Sequence, residues 1–271
     1  MKRIFGTLII LLFSTQINAQ VEAEIAKNFR IGLKATPNLG WLAEDKNTTE
    51  RNGMSLGFGY GLQTEFRLSS SLSFVTGLEV DYMAGGINYI SYDSTKTNPY
   101  NSSVHLMITD TDGNVTDTMQ IMSRKYGFNM VTIPLTIKGK TKEIGYLTYW
   151  GQFGFNASYL YKARASKNSV YENNLQSELD GQYAEIDVLN ETNPLRLGLT
   201  LGFGAEYNLF GSTNLLFGIN YNKGITNTLK KDSRSLLDNK YNNFDGGLHS
   251  SSALQQIIKS DAVVLTVGIL F

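Results

Sequence analysis

The chain contains no cysteine, which excludes a disulfide framework and a lipoprotein-type anchor. It also has no excess of charge of one sign, because 24 Lys and Arg residues stand against 24 Asp and Glu residues. Nucleic-acid-binding proteins usually carry a basic excess, so the composition predicts no nucleic-acid partner. After residue 19, no apolar run approaches the roughly 18 residues that a transmembrane helix needs.

The first nineteen residues have the pattern of a removed secretory signal. Lys2 and Arg3 precede an apolar stretch at residues 4–13, and Ala19 is a small residue of the kind that a signal peptidase prefers. This stretch of about ten residues is too short to span roughly 30 Å of hydrocarbon. We therefore expect a signal peptide at residues 1–19 and a mature domain at residues 20–271. Loss of the two basic residues leaves 22 basic against 24 acidic residues.

Eight segments of the mature chain alternate between apolar residues and polar residues or glycine, which is the period of a β-strand. In the clearest one, every odd position from Leu195 to Leu209 is apolar, and the even positions carry mostly glycine and small polar residues. The segments are residues 29–41, 54–68, 72–82, 131–138, 147–161, 195–209, 215–225 and 261–271.

Two features favour a membrane barrel over a soluble β-sandwich. The polar face is rich in glycine, whereas the water-exposed face of a sandwich should carry more charge. Short and long connections also alternate, as in outer-membrane barrels, and the long ones are about residues 43–53, 85–126, 162–194 and 226–260. The sequence therefore predicts an all-β fold, an eight-stranded antiparallel up-and-down transmembrane β-barrel with long extracellular loops.

An even number of strands puts both termini on the same side, which we expect to be the periplasm of a Gram-negative bacterium. The apolar face would then contact outer-membrane lipid. The last strand ends in an alternating apolar series, Val267, Ile269 and Phe271, that resembles the C-terminal insertion signal of bacterial outer-membrane proteins. This resemblance implies contact with the outer-membrane insertion machinery.

The charged residues on the predicted inner face include four of each sign: Arg30, Lys34, Glu65, Arg67, Glu79, Asp81, Arg196 and Glu206. The interior of an eight-stranded barrel is just wide enough for side chains, and charges in such a space must be paired. The balance of signs favours an internal ion-pair network that fills the barrel. A path for protons or ions is the alternative.

The segment from Asp110 to Asp117 resembles the start of a calcium-binding EF-hand loop. However, Val115 and Ile121 occupy the positions that need glycine and a bidentate glutamate. An Asp-Gly pair between two β-prone stretches is more typical of a β-hairpin turn. We therefore predict a hairpin here and no metal site.

A lipid-modifying hydrolase of this size would need a histidine beside a serine or an acid. The chain has only His105 and His249, both in predicted loops. We therefore expect no catalytic residue and no cofactor, and the hydrolase is a remote alternative.

The strings "FRIGLKATPNLGW" and "VTIPLTIKGK" and the phenylalanine-terminated last strand resemble the PorT-type outer-membrane barrels of Bacteroidota. The resemblance covers essentially the mature chain and implies a cofactor-free barrel of the Gram-negative outer membrane and, for the namesake of the family, a part in type nine secretion.

The predicted outer loops carry tyrosines among Asn, Ser and Asp, a composition that suits protein contacts. An accessory or scaffold subunit that binds a protein partner through these loops is the first hypothesis. A stand-alone barrel for adhesion or envelope integrity is the second.

Overall fold

The computed structural model describes residues 28–44, 49–89, 104–109, 115–172, 175–178, 185–230 and 257–271. The predicted signal peptide lies outside these ranges. No helix within them is long and apolar enough to cross a membrane.

Twelve β-strands and one short 3₁₀ helix, Leu189–Glu191, make up the regular structure of the described residues. The strands are β1 (Phe29–Ala35), β2 (Asn38–Glu44), β3 (Thr49–Arg67), β4 (Leu72–Tyr89), β5 (Val104–Thr109), β6 (Val115–Lys140), β7 (Leu147–Glu172), β8 (Leu175–Glu178), β9 (Glu185–Asp187), β10 (Leu195–Phe210), β11 (Thr213–Gly224) and β12 (Ile258–Leu270).

Eight crossings close into a ring, and we call each crossing a wall because β1 and β2 together form one of them. The order is β1 with β2, then β3, β4, β6, β7, β10, β11 and β12. Every neighbouring pair is antiparallel, and β12 returns to pair with β1 and β2. The predicted eight-stranded antiparallel barrel is thus confirmed. Closure matters because backbone groups in hydrocarbon have no water to bond, so an open sheet edge is not tolerated there.

The first wall is interrupted at Thr36 and Pro37, between β1 and β2. Proline has no N–H group and cannot donate a ladder hydrogen bond. Backbone bonds nevertheless cross the interruption, because the N–H of Thr36 donates to the carbonyl of Gly59 (2.7 Å) and the N–H of Leu265 donates to the carbonyl of Pro37 (2.9 Å). The strand breaks here without opening the barrel.

Outward-facing side chains are large and apolar, as the alternation predicts. Leu56 is 81% exposed, Leu201 61% and Phe155 54%. Gln63 and Thr136 face inward and are buried. So much exposed apolar surface is unusual for a protein in water, but it is typical of the lipid-facing band of a transmembrane barrel.

The short connections lie together at one end of the barrel, at residues 68–71, 141–146 and 211–212. We call this end the short-turn end and the opposite end the long-loop end. Gly211 opens the tightest turn with φ of +58°, a left-handed conformation that glycine adopts without a steric penalty.

Several strands run past the limits predicted from the sequence. β4 continues to Tyr89, β6 begins at Val115 and β7 continues to Glu172, so the predicted loops 85–126 and 162–194 are partly strand. β6 and β7 have 26 residues each, more than twice the roughly 9–11 that cross a membrane. The sheet therefore projects beyond the bilayer at the long-loop end.

Within the predicted loop 85–126, β5 and β6 pair as an antiparallel hairpin, from Val104 with Ile121 to Thr109 with Val115. This confirms the hairpin prediction for the Asp-Gly segment. The turn itself, residues 110–114, lies outside the described residues.

Candidate functional site

Five charged side chains meet inside the barrel near the short-turn end. They come from four walls, and we call them the ion cluster: Arg30 of β1, Glu65 of β3, Lys138 and Lys140 of β6, and Glu206 of β10. Nη2 of Arg30 lies 2.8 Å from Oε2 of Glu65, and its Nη1 lies 3.0 Å from Oε2 of Glu206. The two lysines also contact both carboxylates. Each glutamate is therefore held by all three cations.

The carboxylates and Lys138 of the ion cluster are almost completely shielded from solvent, whereas Arg30 and Lys140 are 16% and 12% exposed. The side chains of Glu65, Glu206 and Lys138 are at most 3% exposed. The Nζ of Lys138 also lies 4.8 Å from the centre of the Trp150 ring, a favourable cation–π distance. Buried charges persist only when they are paired, so removing one carboxylate would leave three cations sharing a single partner.

Further into the barrel the charges become sparser. Nζ of Lys34 lies 2.6 Å from Oε1 of Glu79. Beyond this pair, Arg196 donates to Sδ of Met130 (2.8 Å) and to the carbonyl of Ser260 (3.3 Å). Arg196 and Asp81 both line a polar cavity of about 50 Å³, a volume that suits a few water molecules and is far too small for a conducting pore.

The eight predicted inner-face charges divide into four groups: Arg30, Glu65 and Glu206 in the ion cluster, Lys34 with Glu79, Asp81 with Arg196 at the cavity, and Arg67 exposed at the end of β3. Sequence reasoning missed Lys138 and Lys140. Lys138 stands on the polar face of the fourth alternating segment, so counting every charge on that face would have included it. Lys140 follows the predicted end of the same segment.

The long-loop end is filled by apolar side chains instead of charges. Met83, Ile87, Phe128, Met130 and Leu160 point inward there and are at most 7% exposed. These residues and their buried neighbours form what we call the apolar plug. Its composition is that of a soluble protein core, which is the reverse of the polar interior closer to the short-turn end.

Two segments outside the strands pack onto the apolar plug: residues 188–194, which contain the 3₁₀ helix, and residues 225–230. Val188, Thr228 and Leu229 are at most 1% exposed. The segments are joined by backbone bonds, with the N–H of Asn193 donating to Thr228 (2.9 Å) and the N–H of Lys230 donating to Glu191 (2.8 Å). Packed protein therefore occupies the mouth of the barrel.

Arg124 is a buried cation of this region, 2% exposed, with Nη1 at 3.6 Å from Oε2 of Glu191. Beside it, the hydroxyls of Tyr89 and Tyr126 lie 2.5 Å apart. All of these side chains lie beyond the lipid-facing band. Burial raises the pKa of Tyr89 well above its ordinary value, because the phenolate would be poorly solvated there.

The three residues of the predicted insertion signal lie on the outer face of β12 and just after it. Val267 is 46% exposed, Ile269 38% and Phe271 52%. The N–H of Phe271 donates to the carbonyl of Ile31 (2.8 Å), which ties the last residue to β1.

Within the ranges that the structure covers, no three His, Cys, Asp or Glu side chains are grouped so as to hold a metal ion. Neither histidine side chain belongs to those ranges, because only the backbone of His105 is described and His249 lies outside them.

Residues 18–230 match the family described as outer membrane protein beta-barrel domain. The match covers more than half of the chain, so the protein belongs to this family. It is therefore a β-barrel protein of the Gram-negative outer membrane.

Similar solved structures include three outer-membrane proteins. Neisserial surface protein A is 12% identical, with 89% of this chain and 95% of that chain covered and a TM-score of 0.40. Ail, the attachment invasion locus protein of Yersinia pestis, is 11% identical, with 90% and 99% covered and a TM-score of 0.34. The outer membrane protease OmpT from Escherichia coli is 9% identical, with 90% and 96% covered and a TM-score of 0.45. Comparison with curated proteins gives no match.

Proposed function

We propose that this protein is a non-enzymatic scaffold of the outer membrane that binds a partner protein at its long-loop end, as an accessory subunit of a surface assembly. One observation supports this proposal most: side chains and packed segments fill the described interior of the barrel apart from a small polar cavity, while the strands project past the membrane. A filled interior argues against transport. A projecting sheet is a rigid support of the kind that carries binding loops.

The resemblance to PorT-type barrels supports a finer proposal, that the assembly belongs to type nine secretion. It also supports an orientation with the long-loop end outside the cell and both termini in the periplasm. In the same way, Val267, Ile269 and Phe271 are proposed as the segment that the insertion machinery recognises.

The test compares two shortened variants. Replacing residues 90–121 with an Asn-Gly turn joins β4 to β6 next to Tyr89 and Met122, which removes the β5–β6 hairpin but keeps the apolar plug. Replacing residues 231–256 with a short linker is the matched control. Each protein is isolated from native membranes in mild detergent, and co-purifying proteins are identified by mass spectrometry.

We expect both variants to reach the outer membrane, because neither change removes a wall of the barrel. The first variant should lose a partner that the full-length protein and the control retain. Retention of that partner by both variants would contradict the proposal. If the full-length protein brings no partner at all, the stand-alone barrel for adhesion or envelope integrity is favoured instead.

A lipid-modifying hydrolase is the remote alternative. It requires His105 or His249, since the chain has no other histidine. The buried carboxylates of the ion cluster, Glu65 and Glu206, are engaged by cations and are not placed to act on lipid.

A further inference from the structure

A groove of about 660 Å³ runs across the outer surface of the barrel, over the strands where the ring closes. The two sides of the groove are rows of register partners from β3, β1 and β12. One row is Leu62, Leu33 and Ile269, and the other is Tyr60, Ala35 and Val267. The backbone of the inward-facing residues between the rows forms the floor.

Ala35 widens the groove in the middle of one of its two sides. It stands between Tyr60 and Val267, both larger and both around half exposed. Leu33 in the facing row is 61% exposed. A small side chain flanked by large ones leaves an indentation in a surface that is otherwise convex.

The dimensions of the groove suit a single hydrocarbon chain. Its lining extends from Val80 of β4 to Leu215 of β11, so it crosses five strands, a distance of about 19 Å at roughly 4.8 Å per strand spacing. Strands of such barrels tilt by about 45°, so the groove rises about 13 Å along the membrane normal, within the roughly 15 Å of one leaflet.

The chemistry of the lining also selects an acyl chain. The sides of the groove are aliphatic apart from Tyr60. Lys34 borders the floor, but its ammonium group is paired with Glu79 inside the barrel. A polar or charged ligand would find no partner there. The groove is continuous with the lipid-facing surface, so the molecules that reach it are membrane lipids.

We propose that this groove binds one acyl chain of a phospholipid and that the bound chain stabilises closure of the barrel. On the short-turn side of the break at Thr36, β1 pairs with β12 over four residues, Gly32 to Ala35, and β2 continues the pairing with β12 over seven more. A chain lying across β3, β1 and β12 contacts both sides of the four-residue part of this seam. A ligand that binds only the folded barrel raises its stability in proportion to its occupancy.

The test fills the groove with Ala35→Phe and uses Ala157→Phe as the matched control. Ala157 is an outward alanine on the opposite side of the ring, between Ile133 and Leu197. Detergent-purified barrels are titrated with palmitoyl-oleoyl phosphatidylethanolamine. Bound lipid is counted by native mass spectrometry, and the melting temperature is read from heat-modifiable gel mobility.

Wild type and Ala157→Phe should retain one phospholipid more firmly than the other bound phospholipids, and their melting temperatures should rise when lipid is added. Ala35→Phe should bind that lipid roughly tenfold more weakly, the effect of losing about two methylene contacts, and its melting temperature should no longer respond. Equal binding by the two phenylalanine variants would overturn the proposal. If Ala35→Phe does not assemble, Ala35→Val is compared with Ala157→Val by the same criterion.

Discussion

Along the single strand β6, the inner and outer faces exchange their chemistry. In the membrane-crossing part, Thr136 faces inward and is buried while Leu135 faces outward and is 43% exposed. Beyond the membrane, Phe128 faces inward with 1% exposure and the outward neighbour is Asn129. The alternation of the strand does not change between the two parts. Only the identity of the apolar face does.

The difference teaches that the surroundings of the outer face determine the composition of the inner one. Where lipid surrounds the barrel, apolar residues stabilise it from outside and the narrow interior takes small polar residues and paired charges. Where water surrounds it, the same strands must bury an apolar core to remain folded. In β7, the apolar residues move from the outer to the inner face at a bulge near Lys162, where Asn129 pairs with Lys162 but Met130 pairs with Leu160.

The largest effect should come from breaking the ion cluster in the membrane-crossing part. Glu206→Gln keeps the side-chain volume but removes a carboxylate held by three cations, and we expect a loss of roughly 3–5 kcal/mol in the free energy of unfolding. The matched change beyond the membrane is Glu185→Gln. It breaks the Arg164–Glu185 pair, whose side chains are 46% and 52% exposed, and should cost less than about 1 kcal/mol. Urea unfolding in lipid vesicles measures both.

Removal of a cation should recover part of this loss. In Glu206→Gln with Lys138→Met, only Arg30 and Lys140 remain with Glu65, so the excess positive charge falls back to that of the wild-type ion cluster. The double variant should therefore unfold at higher urea than Glu206→Gln alone. Equal midpoints for Glu206→Gln and Glu185→Gln would show that the ion cluster is not stabilising.

The second effect contrasts the outer faces of the two parts. Leu201 is 61% exposed to lipid, and arginine there should cost roughly 2–4 kcal/mol near mid-membrane. Asn129→Arg places the same charge on the outer face of the projecting part, where water solvates it, and should be nearly neutral. The folded fractions of Leu201→Arg and Asn129→Arg are compared by heat-modifiable gel mobility. A similar cost at both sites would mean that lipid also surrounds the projecting part.

The sequence was sufficient to predict the ring of eight antiparallel walls because each crossing segment keeps its apolar residues on one side over many positions. It did not predict the strand ends at the long-loop end. After Tyr82 the apolar residues move to the inner face, and after Tyr161 the bulge shifts the alternation by one position. At both points the continuous alternation stops, and the sequence alone therefore indicates the end of a strand.

The candidate site was predicted in part for the same reason. Inward charges such as Glu65 and Glu206 follow from the alternation, but which charges meet depends on the stagger of walls that are distant in sequence. Lys140 joins the ion cluster although it lies past the predicted end of its segment. The apolar plug was not predicted at all, because residues 188–194 and 225–230 have no strand period that would indicate a buried face.

The smallest effect concerns the polar contact inside the projecting part. Tyr89→Phe removes a hydroxyl that lies 2.5 Å from that of Tyr126, and we expect a loss of about 1 kcal/mol at neutral pH, because the hydroxyl of Tyr126 stays buried without this partner. The pKa of Tyr89 is raised in the folded barrel, so the folded state holds its proton more firmly than the unfolded chain does. This contribution to stability is complete below the ordinary tyrosine pKa of about 10 and is lost as the pH rises through the higher folded-state value. Urea midpoints from pH 7 to 11 should therefore fall less steeply above pH 10 for Tyr89→Phe than for wild type, and parallel curves would show that Tyr89 is not shielded from water in the plug.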